Sequence, residues 1–255
     1  MKALLLCAGY ATRIYPLTKD TPKHLLDVGG KPILEHVLSR IEQIDAVDTI
    51  YLVTNAKFFY SFLEWAKTYA QHNPLAKKIT VINDGTDNND NRLGALGDIL
   101  FAIEKKHIKD DFLLVAADNI FDFSLRDMHA AFESNGRTTI ALYDVKDKKL
   151  ATQYGVVEVD ESGKLTHFVE KPKEPKSTLI STGIYMIPKR DLPLFRVYIA
   201  QGRSPDKIGS FFEWLHGKED VYCYITEEPW YDIGTLDQLE EARTHYAKKD
   251  IDVMI

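Results

Sequence analysis

Cysteine is scarce in this chain: Cys7 and Cys223 are the two among 255 residues. Two thiols build no disulfide framework, and their scarcity suits a reducing compartment. Cys7 stands within an apolar stretch, the setting of a buried, inert thiol. Basic residues are in the minority too, 32 Lys and Arg against 38 Asp and Glu, for a formal net charge of −6. That balance excludes a broadly basic surface, so no nucleic-acid partner is expected. No apolar run reaches the length of a membrane-spanning helix, and no membrane partner is expected. The first apolar run, residues 3–7, is too short for the core of a secretory signal, which makes the cytoplasm the expected location. Repeats and low-complexity tails are missing, and so is any hexapeptide β-helix pattern.

What remains is an ordinary globular composition, 45% hydrophobic and 27% charged, without the signature of disorder. The length suits one large α/β domain, or a core with a sizeable insertion. Residues 3–7 read as a strand buried on both faces. Pro32 opens a helix in which Ile33, Leu34, Val37, Leu38, Ile41 and Ile44 recur at helical spacing. Strands are predicted at 49–53, 79–83, 112–117 and 138–145. Helices are predicted at 58–71, 95–105 and 125–134, the last capped by Ser124, and residues 84–91 form a polar loop. This alternation predicts a mostly parallel, doubly wound sheet with right-handed crossovers. Ligands of such sheets bind at the carboxyl ends of the strands. Two places there matter most: Gly9 to Arg13 after the first strand, and Asp118 after residues 112–117.

Beyond residue 145 the texture changes. Strands at 154–159 and 165–170 flank Asp160-Glu161-Ser162-Gly163, a hairpin signal. A strand at 179–187, helices at 192–200 and 208–216, and a strand at 221–225 follow. The helix at 236–248 closes the fold, with Glu240, Glu241 and Lys248 on its wet side.

The opening loop carries the clearest chemistry. Gly9 permits close backbone approach to a phosphate, Arg13 can fork two N–H groups onto phosphate oxygens, and Lys23 adds a point charge. Lys19 and Lys31 lie nearby in sequence, a local concentration of positive charge in an acidic chain. The spacing is not a Walker A loop. Nor is it a dinucleotide fingerprint, since Ala11 stands where a second glycine belongs, which argues against a nicotinamide dehydrogenase. Asp118, at the end of a buried strand, and Asp232, within Trp230-Tyr231-Asp232-Ile233-Gly234-Thr235, are each either a turn cap or a cation ligand. As a pair they suit Mg²⁺, which takes one or two carboxylates plus substrate phosphates. Arg92-Leu93-Gly94-Ala95-Leu96-Gly97-Asp98 enters a helix. Its glycines either receive an anion or base edge or simply loosen the helix entry.

Gly9-Tyr10-Ala11-Thr12-Arg13, Pro16-Leu17-Thr18, Pro22-Lys23-His24-Leu25-Leu26 and Gly30-Lys31-Pro32 together resemble the signature of the sugar nucleotidylyltransferases. The resemblance runs through spaced motifs along nearly the whole chain. It implies an α/β fold: a Rossmann-like, mostly parallel mixed sheet flanked by helices, with an inserted sugar-binding β subregion. It also implies one nucleotidyltransferase domain. Its nucleotide-binding core spans about 1–145, a sugar-binding and metal-completing part about 146–235, and a C-terminal helix and tail about 236–255. The implied reaction is Mg²⁺-dependent transfer of a nucleotidyl group from a nucleoside triphosphate to a sugar 1-phosphate, by a possible homodimer. The resemblance places the nucleotide on Ala8, Gly9, Thr12, Arg13, Lys23 and Gly94, with Arg13 and Lys23 catalytic. It places the metal on Asp118 and Asp232, and the sugar phosphate on Glu170, Lys171 and Gly183. Glu170 and Lys171 belong to Val169-Glu170-Lys171-Pro172, and Gly183 to Ser181-Thr182-Gly183-Ile184-Tyr185.

The chain departs from the family pattern in places. Ala11 replaces the commoner glycine, and Ala117 precedes Asp118-Asn119 where glycine is usual. His24 follows Lys23 where proline or alanine is commoner, and is expected to be a partly exposed bystander to the phosphate site. The segment 92–98 is nearer the form of guanylyl and related members than that of thymidylyl enzymes, which leaves the base open. Two rival readings share the core: a cytidylyltransferase acting on phosphocholine or a phosphonate, and a non-catalytic nucleotide-sugar-binding regulatory relative.

Overall fold

The computed structural model describes residues 1–74 and 76–252, the side chains of 248–252 excepted. The chain opens with β1 (Lys2–Leu6), a hairpin of β2 (Asp27–Val28) and β3 (Lys31–Pro32), and α1 (Ile33–Ile41). It continues with β4 (Thr49–Thr54), α2 (Phe59–His72), β5 (Lys78–Asn83), α3 (Ala95–Lys106), β6 (Phe112–Ala116) and β7 (Asn119–Phe121). Then come α4 (Leu125–Asn135), β8 (Thr138–Asp144), α5 (Lys148–Ala151), β9 (Gly155–Val159), β10 (Leu165–Glu170) and β11 (Leu179–Ile187). The last elements are α6 (Pro193–Ala200), α7 (Ile208–Leu215), β12 (Val221–Thr226), β13 (Trp230–Asp232) and α8 (Leu236–Asp252).

The large sheet runs β10-β9-β11-β6-β1-β4-β5, with β8 paired to β11 and β12 paired to β8. β1 lies between β4 and β6, parallel to both. Successive side chains of a strand face opposite sides of the sheet. Ala3 and Leu5 therefore pack with α1, α2 and α4, while Leu4 packs with α3, α6 and α7. A strand covered on both faces must be apolar throughout, which is why β1 is so readable in sequence. α1 turns Leu34, Val37, Leu38 and Ile41 into the first of these layers. The helix stops at Ile41, before the expected Ile44, and Pro32 stays outside it as the last residue of β3. Ser124 caps α4 by accepting from the Asp127 amide at 3.2 Å, an arrangement worth about 1 kcal/mol.

The second half adds antiparallel pairs. β11 runs against β6 and β8, and β10 against β9. Between Ser181 and Tyr185 the β11–β8 register slips, and Gly183 sits in that bulge at φ +81. A Cβ there would meet the Ala116 Cβ at 2.9 Å, so the bend requires glycine.

Two short strands were not legible in the sequence. β7 and β13 pair antiparallel, with Asp232 opposite Asn119. Each is three residues long and takes its order from the other, so neither has a local signal. α8 covers this ladder: Leu239, Ala242 and Tyr246 bury with Ile14, Val28, Ile120 and Ile233. Glu240 and Glu241 are exposed, and the side chain of Lys248 lies outside those described. Among the described residues no helix is long and apolar enough to cross a membrane.

At the end of β5, Asp84 faces Asp98 in the first turn of α3. Both are buried, at 9% and 6% exposure. Asp84 Oδ1 accepts from the amide and hydroxyl of Thr86. Asp84 Oδ2 and Asp98 Oδ1 meet no N–H or O–H donor, and the two carboxyl groups bond to one another instead. Such a contact needs a proton. Burial first, and the charge of Asp84 second, push Asp98 up from 3.8 to about 8. The folded chain therefore holds a proton that the unfolded chain releases near pH 4. Folding stability is expected to fall as pH rises between about 4 and 8, by up to about 1.4 kcal/mol per unit from this group. Asp98→Asn, which keeps a donor without the ionisation, should flatten that slope and exceed the wild type in stability at pH 9. Urea denaturation across the pH range measures both.

Candidate active site

The chain leaves β1 through Cys7, whose thiol burial pushes far up and leaves inert. The loop after it is pinned from β4: Asn55 Nδ2 donates to the Ala8 carbonyl at 2.9 Å. Gly9 is exposed, and the space a Cβ would fill is open. Ala11 adopts the left-handed conformation at φ +47. That explains why glycine is commoner in the family pattern, because a Cβ costs roughly 1–2 kcal/mol there. The Thr18 hydroxyl, donating to the Ala11 carbonyl at 2.7 Å, helps hold the turn. Thr12 and Arg13 follow in a single exposed helical turn.

Lys23 and His24 occupy a second such turn, and both are buried. Lys23 Nζ donates to Asp118 Oδ2 at 2.8 Å. Burial opposes ionisation of Asp118, but the Lys23 ammonium outweighs it and holds the carboxyl below its usual range. The expectation for His24 is overturned. It is only 3% exposed, packs 6.0 Å from the Phe62 ring, and is lowered to about 3 by burial and then by the Lys23 charge. It is a neutral core residue, held inward by the same turn that sends Lys23 to Asp118.

The β7–β13 ladder brings Asp232 to this pair, with the Ile233 amide donating to the Asp118 carbonyl at 3.0 Å. Burial first, and Asp118 second, push Asp232 up to about 6, against Lys23 and Arg13. The nearby Tyr154 hydroxyl favours the charged form of Asp232. Gly234 lies between Arg13 and Asp232: a Cβ there would be 3.5 Å from Arg13 Nη2 and 3.7 Å from Asp232 Oδ2, ordinary contact distances. Arg13, Lys23, Asp118 and Asp232 thus share one place at the carboxyl rim of β1 and β6. Two mutually repelling carboxylates suit a divalent cation. Among the described residues no cluster of three or more acidic, histidine or cysteine side chains forms a complete cage. A site of this kind fits Mg²⁺, which fills its shell with substrate phosphates and water.

Asp118 and Asp232 also line a cavity of ≈ 270 Å³, together with Glu170, Lys171, Gly183 and Tyr154. Lys171 turns the chain at the end of β10 with φ +52, its amide donating to the Tyr154 carbonyl at 3.0 Å. Burial pushes the Glu170 carboxyl up, while Lys171 and Lys207 oppose that. The carboxylate rests between two glycines that the motifs did not single out. A Cβ on Gly209 would lie 1.9 Å from Glu170 Oε2, and one on Gly155 3.2 Å from it. The signal was present in principle, since a glycine in the first turn of a helix costs stability and asks for a packing reason. Gly94, by contrast, does not line the cavity. Its φ is +78, and a Cβ would strike the Pro205 carbonyl at 2.8 Å, so glycine is required there by packing.

Gly209→Ala gains about 1 kcal/mol of helix propensity but forces Glu170 out of its place. A net loss of about 1–3 kcal/mol is expected. Glu170→Asp, one methylene shorter, should recover most of that loss in the double variant. Thermal melts of all four proteins give the coupling, and additive losses would exclude the contact.

A family profile described as nucleotidyl transferase matches residues 2–249. The chain is 32% identical over 243 residues to the UTP–glucose-1-phosphate uridylyltransferase AglF of Haloferax volcanii, covering 95% of each. It is 30% identical over 249 residues to the bifunctional protein GlmU of Methanococcus aeolicus, covering 97% of this chain and 55% of that one. The chain therefore spans about half the length of the GlmU relatives it matches. Among solved structures, UDP-glucose pyrophosphorylase in complex with UDP-glucose superposes with a TM-score of 0.82 at 19% identity, covering 97% of this chain and 98% of that one. That likeness shows the fold: a mostly parallel mixed sheet flanked by helices. With the profile spanning nearly its whole length and AglF alike end to end, the chain belongs to the nucleotidyl transferase family, among the sugar nucleotidylyltransferases.

Proposed function

We propose that the protein transfers a nucleotidyl group from a nucleoside triphosphate to a sugar 1-phosphate, with Mg²⁺, and releases pyrophosphate. One observation carries this reading. Arg13, Lys23, Asp118 and Asp232 come from distant parts of the chain to one rim, and that rim opens into the cavity holding Glu170 and Lys171. The similarity to AglF supports UTP and glucose 1-phosphate as the first pair to test.

In this reaction an oxygen of the sugar phosphate attacks the α-phosphorus in line. The new O–P bond forms as the bond to the β-phosphate oxygen breaks, and pyrophosphate leaves with the electron pair. The attacking oxygen is already ionised near neutral pH, so the protein needs no general base. Its task is to bring two polyanions together. Arg13, exposed beside Asp232, offers a fork to the triphosphate. Lys23 holds Asp118 ionised and supplies positive charge at the rim. The Glu170 carboxylate, free of protein donors among the described residues, accepts from acceptor hydroxyls, and Lys171 meets the acceptor phosphate. Mg²⁺, when bound by Asp118 and Asp232, neutralises phosphate charge.

Pyrophosphate release with UTP, dTTP, GTP and CTP against several sugar 1-phosphates and phosphocholine tests the reading. Turnover is expected with a sugar 1-phosphate and lost on chelation. Asp232→Asn should lower kcat/KM by about 100-fold, roughly the 3 kcal/mol of one electrostatic contact. It is a cleaner probe than Asp118→Ala, which strands the buried Lys23 ammonium. Turnover with phosphocholine alone would replace the sugar assignment.

A further inference from the structure

Lys207 immediately precedes α7, and neither the family motifs nor the reading above uses it. It lines the same cavity as Glu170 and Lys171. The titratable lining there is lopsided: carboxylates from Asp118, Glu170, Asp206 and Asp232, ammoniums from Lys171 and Lys207. Two of the carboxylates have partners, since Lys23 bonds Asp118 at 2.8 Å and Arg92 lies 3.4 Å from Asp206. The cavity remains hostile to a phosphate dianion unless cations meet it directly. Lys171 alone is matched by Glu170, its neighbour. Lys207 is the charge left over.

Neither ammonium makes a hydrogen bond or ion pair with the described residues, though both act electrostatically on Glu170. The backbone that carries Lys207 is held from the nucleotide side of the molecule. The Leu96 amide donates to the Pro205 carbonyl at 2.8 Å, and Gly94 packs against Pro205 and Asp206. On its other side Gly209 abuts Glu170. An unpaired ammonium on an anchored segment, facing an acidic cavity, is placed for an incoming anion rather than for the protein.

We propose that Lys207 is a second phosphate-binding residue for the acceptor, paired with Lys171 across Glu170, so that the acceptor is read as a phosphate monoester flanked by hydroxyl groups. The proposal rests on the acceptor assignment above. It goes beyond that assignment because it makes the segment from Pro205 to Gly209 part of acceptor recognition and gives the cavity the charge it otherwise lacks.

Lys207 is exposed, so Lys207→Met removes the charge without burdening the fold. Calorimetric titration with glucose 1-phosphate, glucose, phosphocholine and Mg-UTP, with and without α,β-methylene-UTP, gives the result. The variant should bind glucose 1-phosphate at least tenfold more weakly, with affinities for glucose and Mg-UTP unchanged and Lys207→Arg near wild type. In turnover, the acceptor KM should rise more than kcat falls. Unchanged glucose 1-phosphate affinity, or an equal loss for Mg-UTP, overturns the proposal. If the wild type binds phosphocholine and not glucose 1-phosphate, the sugar assignment fails on its own, and the same variants decide Lys207 on phosphocholine. Binding of neither phosphate monoester overturns both.

Discussion

The rim of the sheet depends on one half-buried ion pair, the 2.8 Å contact of the buried Lys23 ammonium with the partly exposed Asp118. An ammonium exposed to only 8% loses most of its hydration, so removing the carboxylate would strand a buried charge, at a cost that the partial exposure of Asp118 reduces. The contact ties the loop after β1 to the end of β6, across 95 residues of sequence. It also orients its neighbourhood. A turn that sends Lys23 to Asp118 sends His24 into the core beside Phe62. Holding Asp118 ionised sets the field that raises Asp232. Arg13, near Asp232 across Gly234, completes an alternation of charges in which each carboxylate has a cation beside it.

Much of this was legible in the sequence, for reasons that differ by element. β1 is apolar on both faces because helices cover both, and α1 shows its buried stripe at helical spacing. Asp118 was legible as a carboxylate at the end of a strand with no apolar role to fill. Glu170 and Lys171 were legible only through family resemblance, since charged residues at the end of a strand are ordinary. Apart from the local β2–β3 hairpin and the single turn of α5, the missed features take their meaning from residues distant in sequence. β7 and β13 are strands because each is the other's partner. His24 is buried because Lys23 is engaged elsewhere. Gly155 and Gly209 look like weak points in a strand and a helix until Glu170 is placed between them.

Ala11 shows where pattern and physics diverge. In sequence Ala11 is one small residue in place of another, but the structure demands a left-handed backbone at that position. The Cβ adds strain, and the Thr18 contact with the Ala11 carbonyl helps the surrounding turn hold it. Strain retained beside a binding loop is a known habit of functional sites. Here its cause is a visible substitution at one backbone position.

The Asp84–Asp98 contact belongs to the same electrostatic problem. It lies at the carboxyl end of β5, and both charges act on Tyr10 in the opening loop. Two ionised carboxylates there would add negative field beside the loop that carries Gly9 and Arg13, the proposed phosphate-binding residues. The positive end of α3 would stabilise a charge on Asp98, yet burial and Asp84 prevail and keep the proton. Sharing it removes one negative charge from the approach and satisfies two buried oxygens with one bond. The other acidic groups at the rim have a cation within reach: Asp118 has Lys23 at 2.8 Å, Asp206 has Arg92 at 3.4 Å, and Glu170 feels both Lys171 and Lys207. On the proposed function, a chain of formal charge −6 receives phosphates because its negative charge at the site is paired or protonated, with Arg13, Lys171 and Lys207 as the cations offered to the ligand.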